Sequence, residues 1–290
     1  MTWHDRVNKV IDYIEENLCQ QIDFAEIAKI AGQSQVVFQR TFSIVADISI
    51  YEYIRRRRLS LAGFDIQNTN QKVVDIALKY GYESPESFTR AFKELHGASP
   101  AAARKKVLSS KIYPRITFLL SIKGAVVMEY RIEKKDAFKI YGVEGIFTVE
   151  NDAHLKDLPA FWQKFWQEGD SDRLMNSMGN PDAGVHAIGG YKEMGEKDYP
   201  YMIFAHLTKG CDADGFATEE IPAATWAVFR SEKHDVKDSA SVIQALFKRV
   251  YTEWLPSAPF VADCGCEQEI YVCAGDGMLY SEVWLCVTPK

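Results

Sequence analysis

The spacing of apolar residues changes near the middle of the chain. Up to about residue 106, apolar side chains recur every three or four positions, as they do from Val7 to Leu18, which is the period of amphipathic helices. From Val126 onward the period becomes two, which indicates strands, and helical stretches at 155–169 and 235–255 interrupt them. The pattern predicts an all-α N-terminal domain, followed by an α+β domain that looks like a duplicated unit.

The helical part contains the same arrangement twice. The run Phe-x-Arg-x-Phe stands at 38–42 and again at 88–92. In each copy a glycine suited to ending a helix comes first, and a serine suited to capping the next helix follows it. The paired positions are Gly32 with Gly81, Ser34 with Ser84, and Arg40 with Arg90. A helix, a glycine turn and a capped helix form a helix-turn-helix, so two such units are predicted.

The outer faces of the two capped helices suit DNA. In a helix-turn-helix the second helix enters the major groove, and its N-terminal half contacts base edges. Arg40 and Arg90 can each bind guanine through two hydrogen bonds, and Val36 can contact a thymine methyl. Gln39 and Thr89 add polar groups beside them. A charged outer face is commonly only a solvated face, but the repetition of arginine at one position favours DNA contact.

Both copies lie in sequence that resembles the DNA-binding domain of the AraC/XylS family of bacterial transcription regulators, over roughly residues 5–106. The resemblance is carried by IAKIAGQSQVVFQRTFSIVADISIYEYIRRRRLSLA and DIALKYGYESPESFTRAFKELHGASP. It implies two recognition helices in successive major grooves on one face of promoter DNA. By position, it implies as base-contacting residues Val36, Gln39, Arg40, Glu86, Ser87, Thr89 and Arg90. The sequence departs from the family at Val36, where some relatives carry an aromatic or polar residue, and at Ala102-Ala103-Arg104, which replaces the usual Tyr-Arg ending.

The charge of the chain divides at the same place as the apolar pattern. Residues 1–106 carry 15 Lys and Arg against 13 Asp and Glu, whereas the remainder carries 19 against 27. A mildly basic part therefore precedes an acidic one. The run Arg55–Arg58 circles a whole helical turn, so we expect at most two of its side chains to face a phosphate together. The others are expected to pair with Asp or Glu inside the domain.

Composition bounds the location and the cofactors. No apolar run reaches the roughly 18 residues of a membrane helix, and the charged N-terminus has no signal-peptide core. We therefore expect a cytoplasmic protein without a membrane partner. Its six cysteines are expected to be reduced rather than to form a disulfide framework. The Cys-Gly-Cys at 264–266 lacks a second pair of ligands, so neither a metal nor another cofactor is predicted.

The acidic part shows no catalytic signature, because its four histidines are scattered and none stands in a His-x-x-x-His motif. Its strands do place carboxylates beside aromatic residues. Period two puts Glu282 with Trp284 on one face of LYSEVWLCV, and Glu269 with Tyr271 on one face of EQEIY. A carboxylate flanked by aromatic rings can hold an organic cation. A solvent-facing glutamate on an amphipathic strand stays open as the alternative for either residue.

The part from about residue 110 to 290 resembles the GyrI-like, or effector-binding, domain of AraC-type and MerR-type regulators. The resemblance runs from KIYPRITFLLSIKGAVVMEYRIEKKDAFKIYGVEG to the closing YSEVWLCV, although the chain ends in CVTPK rather than the usual Ile-Pro-Val type. It implies two βαββ units about a pseudo-two-fold axis, with a pocket often centred on a buried glutamate. Glu282 fits that position best and Glu269 second. The effector-binding candidates are Glu282, Glu269, Tyr271, Trp284 and Trp226.

These features predict a ligand-responsive transcription regulator. Its DNA-binding domain is assigned to 1–106, a linker with the approach to the first strand to 107–122, and the small-molecule-binding domain to 123–290. An effector changes transcription only if it binds one arrangement of the domains better than another. The expected partners are double-stranded promoter DNA and a small amphipathic, cationic molecule, with RNA polymerase left open. A monomer is preferred to a dimer, because two recognition helices in one chain can read an asymmetric site.

Two other functions stay open for the C-terminal domain. It could be a small-molecule hydrolase, as some GyrI-like domains are proposed to be, in which case Glu282 would act in the pocket. No partner acid, base or nucleophile is evident for that residue, so no enzymatic activity is predicted. It could also be a protein-docking module, which an open, charged concave face without aromatic lining would favour. The N-terminal half is expected to bind DNA under each of these alternatives.

Overall fold

The structure is a computed structural model in which two compact units can be distinguished. It describes residues 3–105, 111–118, 128–180, 184–262 and 265–290. The helical unit comprises the described residues within 1–32 and 48–121, and the sheet unit comprises those within 33–47 and 122–290. Half of the predicted linker at 107–122 lies outside the described residues, and its described part, 111–118, forms no helix or strand.

The first part of the chain is helical, as predicted. Its helices are α1 (Trp3–Glu16), α2 (Phe24–Ala31), α3 (Gln35–Ala46), α4 (Ile50–Asn68), α5 (Val73–Lys79), α6 (Pro85–His96) and α7 (Pro100–Lys105). All of them except α3 belong to the helical unit. Phe88 and Phe92 of α6 are buried with Leu59 and Ile66 of α4 and Ile76 of α5, so the predicted apolar stripes form this core. Within the described stretches, none of the helices combines the length and the apolar character needed to span a bilayer.

The starts of α3 and α6 confirm the predicted caps. Ser34 Oγ accepts a hydrogen bond of 3.3 Å from the backbone N–H of Val37, and Ser84 Oγ accepts one of 3.1 Å from that of Ser87. Before α3, Gly32 has a φ of 64°, a left-handed conformation that costs glycine little. The chain can therefore end α2 and start α3 within three residues.

The arginine run is used inside the helical unit. Arg57 donates two hydrogen bonds of 2.8 and 2.7 Å to Glu15. Arg55 and Arg56 both pair with Glu52, at 2.6 Å each. The expected pairing with carboxylates of the same domain is confirmed for these three arginines, and contact of the run with phosphate stays a prediction.

The sheet unit contains an antiparallel sheet of eight strands and a separate pair of short strands. The strands in chain order are β1 (Tyr130–Lys135), β2 (Phe138–Thr148), β3 (His186–Gly189), β4 (Asp198–His206), β5 (Ala217–Ile221), β6 (Ala224–Arg230), β7 (Phe260–Val261), β8 (Glu267–Cys273), β9 (Leu279–Cys286) and β10 (Thr288–Pro289). The large sheet has the order β1-β6-β9-β8-β3-β4-β2-β5, and β7 pairs with β10.

The sheet unit repeats one supersecondary pattern. After β2 come α8 (Ala153–Gln167) and α9 (Asp170–Ser177), and after β6 come α10 (Ser239–Arg249) and a π-helical segment, Val250–Trp254. The order β2, helices, β3, β4 therefore returns as β6, helix, β8, β9. This confirms the predicted pair of βαββ units, and β3 pairs with β8 where the two units meet.

The sheet has two different faces. On the helix-covered face, side chains of β2 to β4 pack with α8 and α9, and side chains of β6 and β9 pack with α10. Helix α3 joins both clusters, because Val36 packs in the first and Ile44 and Val45 pack against the second. The far face carries a third cluster that includes Met202, Phe204, Trp226 and Trp284.

Candidate functional site

Helix α6 presents its predicted DNA-contacting residues to solvent. Glu86, Ser87 and Arg90 are exposed and Thr89 is half-buried, while Phe88 on the opposite side is buried. The capped start of the helix and its buried stripe fix this orientation. The outward face predicted for α6 is therefore present, and contact with bases stays a prediction.

Helix α3 behaves differently from its predicted counterpart α6. Val36 is 9% exposed and Gln39 is 1% exposed, and the side chain of Arg40 is 13% exposed. The prediction that these residues point to solvent is wrong for this structure. The physical reason is that α3 packs on the helix-covered face of the sheet. The face that was predicted to be exposed is therefore buried as well as the apolar face.

Arg40 binds an anionic and aromatic site on the sheet. Its Nη2 donates a hydrogen bond of 2.8 Å to Glu267 Oε2, and its guanidinium carbon lies 4.2 Å from the centre of the Tyr199 ring. The other oxygen of Glu267 accepts a hydrogen bond from the hydroxyl of Tyr251. The guanidinium is thus held by an ion pair and by the negative face of a ring.

Glu269 belongs to the same part of the sheet. Its Oε2 accepts hydrogen bonds from the hydroxyls of Tyr271 at 2.8 Å and Tyr201 at 3.4 Å. The Tyr201 hydroxyl accepts in turn from Trp162 Nε1 of α8, at 2.9 Å. Burial raises the pKa of Glu269, although the hydrogen bond from Tyr271 and the charge of Arg40 oppose that rise. We use the name tyrosine-lined cleft for the packed group of side chains that Glu267, Glu269, Tyr199, Tyr201 and Tyr271 form beside Arg40.

The register of the strands brings the cleft together. Glu267, Glu269 and Tyr271 alternate along β8 and so share one face. Gly189 of β3 pairs with Glu267 on one side and with Tyr201 of β4 on the other. A Cβ at Gly189 would lie 1.7 Å from the Tyr199 hydroxyl, so only glycine leaves room for that ring beside the strand. Tyr199 and Tyr201 were not predicted as site residues, although their alternation in the strand segment YPYMIF was available as a signal.

Glu282 lies on the far face and is already engaged. Arg131 donates to both of its oxygens at 3.1 and 2.9 Å, Arg230 Nε donates at 2.7 Å, and Trp284 Nε1 donates at 2.9 Å. Burial alone would raise the pKa of Glu282, but the hydrogen bonds from Arg131, Trp284 and Arg230 lower it. Both oxygens of this carboxylate are thus paired with arginine.

The five predicted effector-binding residues therefore do not form one site. Glu269 and Tyr271 lie in the tyrosine-lined cleft. Glu282 and Trp284 lie on the other face, where Trp284 packs edge-on against Trp226 with ring centres 6.3 Å apart. Glu269 is hydrogen-bonded by tyrosine hydroxyls and Glu282 is paired with two arginines, and which of them meets an effector stays a prediction.

Cysteine and histidine chemistry adds no further site. Within the described parts of the chain, no three His, Cys, Asp or Glu side chains are placed so that they could hold a metal ion. Cys286 is disulfide-bonded, so the expectation of reduced cysteines is wrong for this residue, whereas Cys19, Cys211, Cys266 and Cys273 are free thiols.

A buried histidine makes stability depend on pH. Nδ1 of His186 accepts a hydrogen bond of 3.2 Å from the backbone N–H of Tyr271. Burial first, and the neighbouring His206 second, lower the pKa of His186 to about 3. The unfolded chain takes up this proton near a pKa of about 6.5, whereas the folded chain does not. Stability is therefore full above that pH and falls as the pH drops towards the folded pKa.

Because of His186 alone, we expect the free energy of unfolding to fall by about 2 kcal/mol when the pH is lowered from about 7 to about 5. His186→Phe is expected to remove that part of the pH dependence. Urea unfolding followed by tryptophan fluorescence at the two pH values measures it. His4→Gln, a histidine substitution in the helical unit, is the control that should keep the wild-type slope. Equal slopes for the two variants would show that His186 is protonated in the folded state.

Two helix-turn-helix arrangements followed by a two-fold α+β domain with a carboxylate-containing aromatic cleft define a DNA-binding regulator with a ligand-binding domain. Residues 27–106 match the family model described as a helix-turn-helix domain, and residues 128–288 match the model described as a GyrI-like small molecule binding domain. The chain belongs to the AraC/XylS family of transcription regulators and carries a C-terminal GyrI-like domain.

Several characterised proteins are similar to parts of this chain. The HTH-type transcriptional activator AarP of Providencia stuartii is 38% identical over 98 residues, which are 34% of this chain and 73% of AarP. The regulatory protein SoxS of Salmonella typhimurium is 32% identical over 107 residues, which are 37% of this chain and 100% of SoxS. Among solved structures, SAV2435 bound to tetraphenylphosphonium has a TM-score of 0.44 at 16% identity, covering 56% of this chain and 94% of that chain.

Proposed function

We propose that this protein regulates transcription by binding DNA through its helix-turn-helix units and a small amphipathic cation through the tyrosine-lined cleft. The observation that carries the ligand half is the position of Arg40. A carboxylate oxygen 2.8 Å from its Nη2 and a ring centre 4.2 Å from its guanidinium carbon are the two groups that bind organic cations. Glu282 is also paired with an arginine beside a ring, but the site around Arg40 adds Glu269, a second carboxylate whose hydrogen bonds come from tyrosine hydroxyls.

The charges around the cleft favour a cation over a neutral or anionic ligand. Glu267 is buried and Glu269 is half-buried there, and Arg40 is the basic side chain that pairs with Glu267. An anion would lie beside two carboxylates, and the repulsion between like charges would disfavour it. A flat or bulky cation would instead contact Tyr199, Tyr201 and Tyr271 through its apolar surface.

We favour a regulator over an enzyme. The cleft carboxylates are held by tyrosine hydroxyls and by Arg40, which are hydrogen-bond donors rather than bases that would activate a nucleophile. This arrangement supports cation binding. Two reading helices in one chain also favour a monomer on an asymmetric DNA site.

Arg90→Ala is expected to weaken binding to a specific duplex by about 1–3 kcal/mol, because an exposed arginine in the first half of a recognition helix can bind guanine through two hydrogen bonds. Fluorescence anisotropy measures this on a duplex selected from a random pool by the wild-type protein. Lys93→Ala, an exposed change later in α6, is the control. If Arg90→Ala weakens binding to random DNA equally, Arg90 contacts phosphate rather than bases.

A further inference from the structure

Arg40 has two expected roles that exclude each other. By its position in the repeat it matches Arg90 and is a base-contacting candidate. In the structure the same guanidinium pairs with Glu267 and lies over Tyr199. While these contacts are made, α3 also buries Val36 and Gln39, its other candidate DNA contacts. The side chains of α3 therefore cannot read DNA and fill the cleft at the same time.

The docking of α3 leaves polar groups without partners. Gln39 Nε2 and Oε1 and Gln35 Nε2 are buried and form no hydrogen bond with any described residue. His154 of α8 is also buried, and neither of its ring nitrogens forms a hydrogen bond with a described residue. Burial and the charge of Arg40 lower the pKa of His154. Each such group costs about 1–3 kcal/mol. Apolar residues would hold α3 more firmly, so the docked state is stabilised less than the burial of this helix would allow.

Both ends of α3 coincide with boundaries between the two units. The first boundary follows Gly32 and the second follows Asp47. These residues have φ values of 64° and 54°, and the left-handed conformation of Asp47 is one that non-glycine residues seldom adopt. Residues at the ends of an element are where a hinge absorbs a change of φ and ψ. The segment that carries Arg40 is thus bracketed by two such positions.

We propose that Arg40 is a built-in competitor of the effector, so that a cation entering the tyrosine-lined cleft displaces the guanidinium and releases α3 for DNA. This rests on the proposed function, since it assigns the effector to the site that Arg40 occupies. The coupling is reciprocal: the cation increases affinity for DNA, and DNA that holds α3 increases affinity for the cation by the same factor. In the unliganded protein, α6 alone presents its reading face.

The test compares tetraphenylphosphonium binding by full-length wild type and Arg40→Ala, with tryptophan fluorescence or calorimetry as the readout. Removing the competitor is expected to tighten binding roughly tenfold if about a tenth of the wild-type chains have α3 released. Arg40→Met, which keeps an apolar stem over Tyr199, should show the same direction if Arg40→Ala folds poorly. Lys164→Ala, which removes an exposed cation from α8, should leave the affinity unchanged. Weaker or equal binding by both Arg40 variants would overturn the proposal.

Hydrogen exchange of the amides of 35–46 gives a second readout. Saturating tetraphenylphosphonium is expected to speed exchange in this segment, and protection of the segment would overturn displacement. If no variant binds this cation, the proposed ligand class fails. The role of Arg40 in holding α3 on the sheet is then tested in the absence of ligand. Glu267→Gln removes the ion pair with Arg40. Faster exchange over 35–46 in that variant would support the ion pair as the contact that holds α3 on the sheet, and unchanged exchange would reject it.

Discussion

Replacing Glu269 by glutamine is expected to weaken binding of tetraphenylphosphonium by roughly 30-fold, because a desolvated cation beside aromatic rings and a carboxylate loses about 2 kcal/mol with the charge. Glutamine keeps the size of the side chain and can still accept the hydrogen bond from Tyr271. The change therefore isolates the charge from the shape of the cleft. Titration of the full-length protein followed by tryptophan fluorescence measures the affinity.

The matched control is Glu282→Gln on the far face of the same sheet. Its carboxylate is bound by Arg131 and Arg230, so we expect the affinity for tetraphenylphosphonium to stay within about twofold of wild type. Triphenylphosphine oxide, a neutral relative of the cation, should bind the wild type and Glu269→Gln about equally. If Glu282→Gln abolishes binding and Glu269→Gln does not, the cation site lies on the far face, and the order inferred from the sequence was right.

The affinity for a cation should also depend on pH. Burial raises the pKa of Glu269, so this carboxyl keeps its proton to a higher pH than a solvent-exposed glutamate does. A bound cation favours the ionised form, and binding therefore releases a proton. We expect affinity to increase as the pH rises through the raised pKa, and this dependence should vanish in Glu269→Gln. The same titrations at several pH values measure it.

Local signals predicted the helical part well. Ser34 and Ser84 cap helices, and Gly32 ends one, because these effects depend on residues a few positions apart. The outward face of α6 followed from the same period of 3.6 residues. For strands, period two correctly placed Glu269 with Tyr271 on one face of β8, and Glu282 with Trp284 on one face of β9.

The burial of α3 was not predictable from its own sequence. Gln35, Gln39 and Arg40 have the polarity of a solvated face, and what covers them is a sheet more than a hundred residues later in the chain. The relation between β8 and β9 was equally hidden. Ile270, not Glu269, pairs with Glu282, so the two carboxylates point to opposite faces, and only the register of the pair reveals this. Long-range partners and register thus decide the site.

Gly189→Ala is expected to destabilise the sheet unit by about 3 kcal/mol, at the upper end of the usual cost of overpacking a core. The added Cβ would lie 1.7 Å from the hydroxyl oxygen of Tyr199 and 2.4 Å from its Cζ, and this ring is fully buried. Tyr199 must therefore move, and the surface on which Arg40 lies moves with it. Urea unfolding of the full-length protein, followed by the fluorescence of tryptophans in the sheet unit, measures the loss.

A double-mutant cycle separates the clash from other effects of the alanine. The Tyr199 hydroxyl has no hydrogen-bond partner among the described residues, so Tyr199→Phe alone should change stability by less than about 1 kcal/mol. In the double variant the nearest clashing atom is gone while the ring remains close, so roughly half of the lost stability should return. Additive losses would mean that Gly189 is required for its backbone rather than for the space beside β3. Recovery would show that Gly189 is required because it leaves room for the side chain of Tyr199.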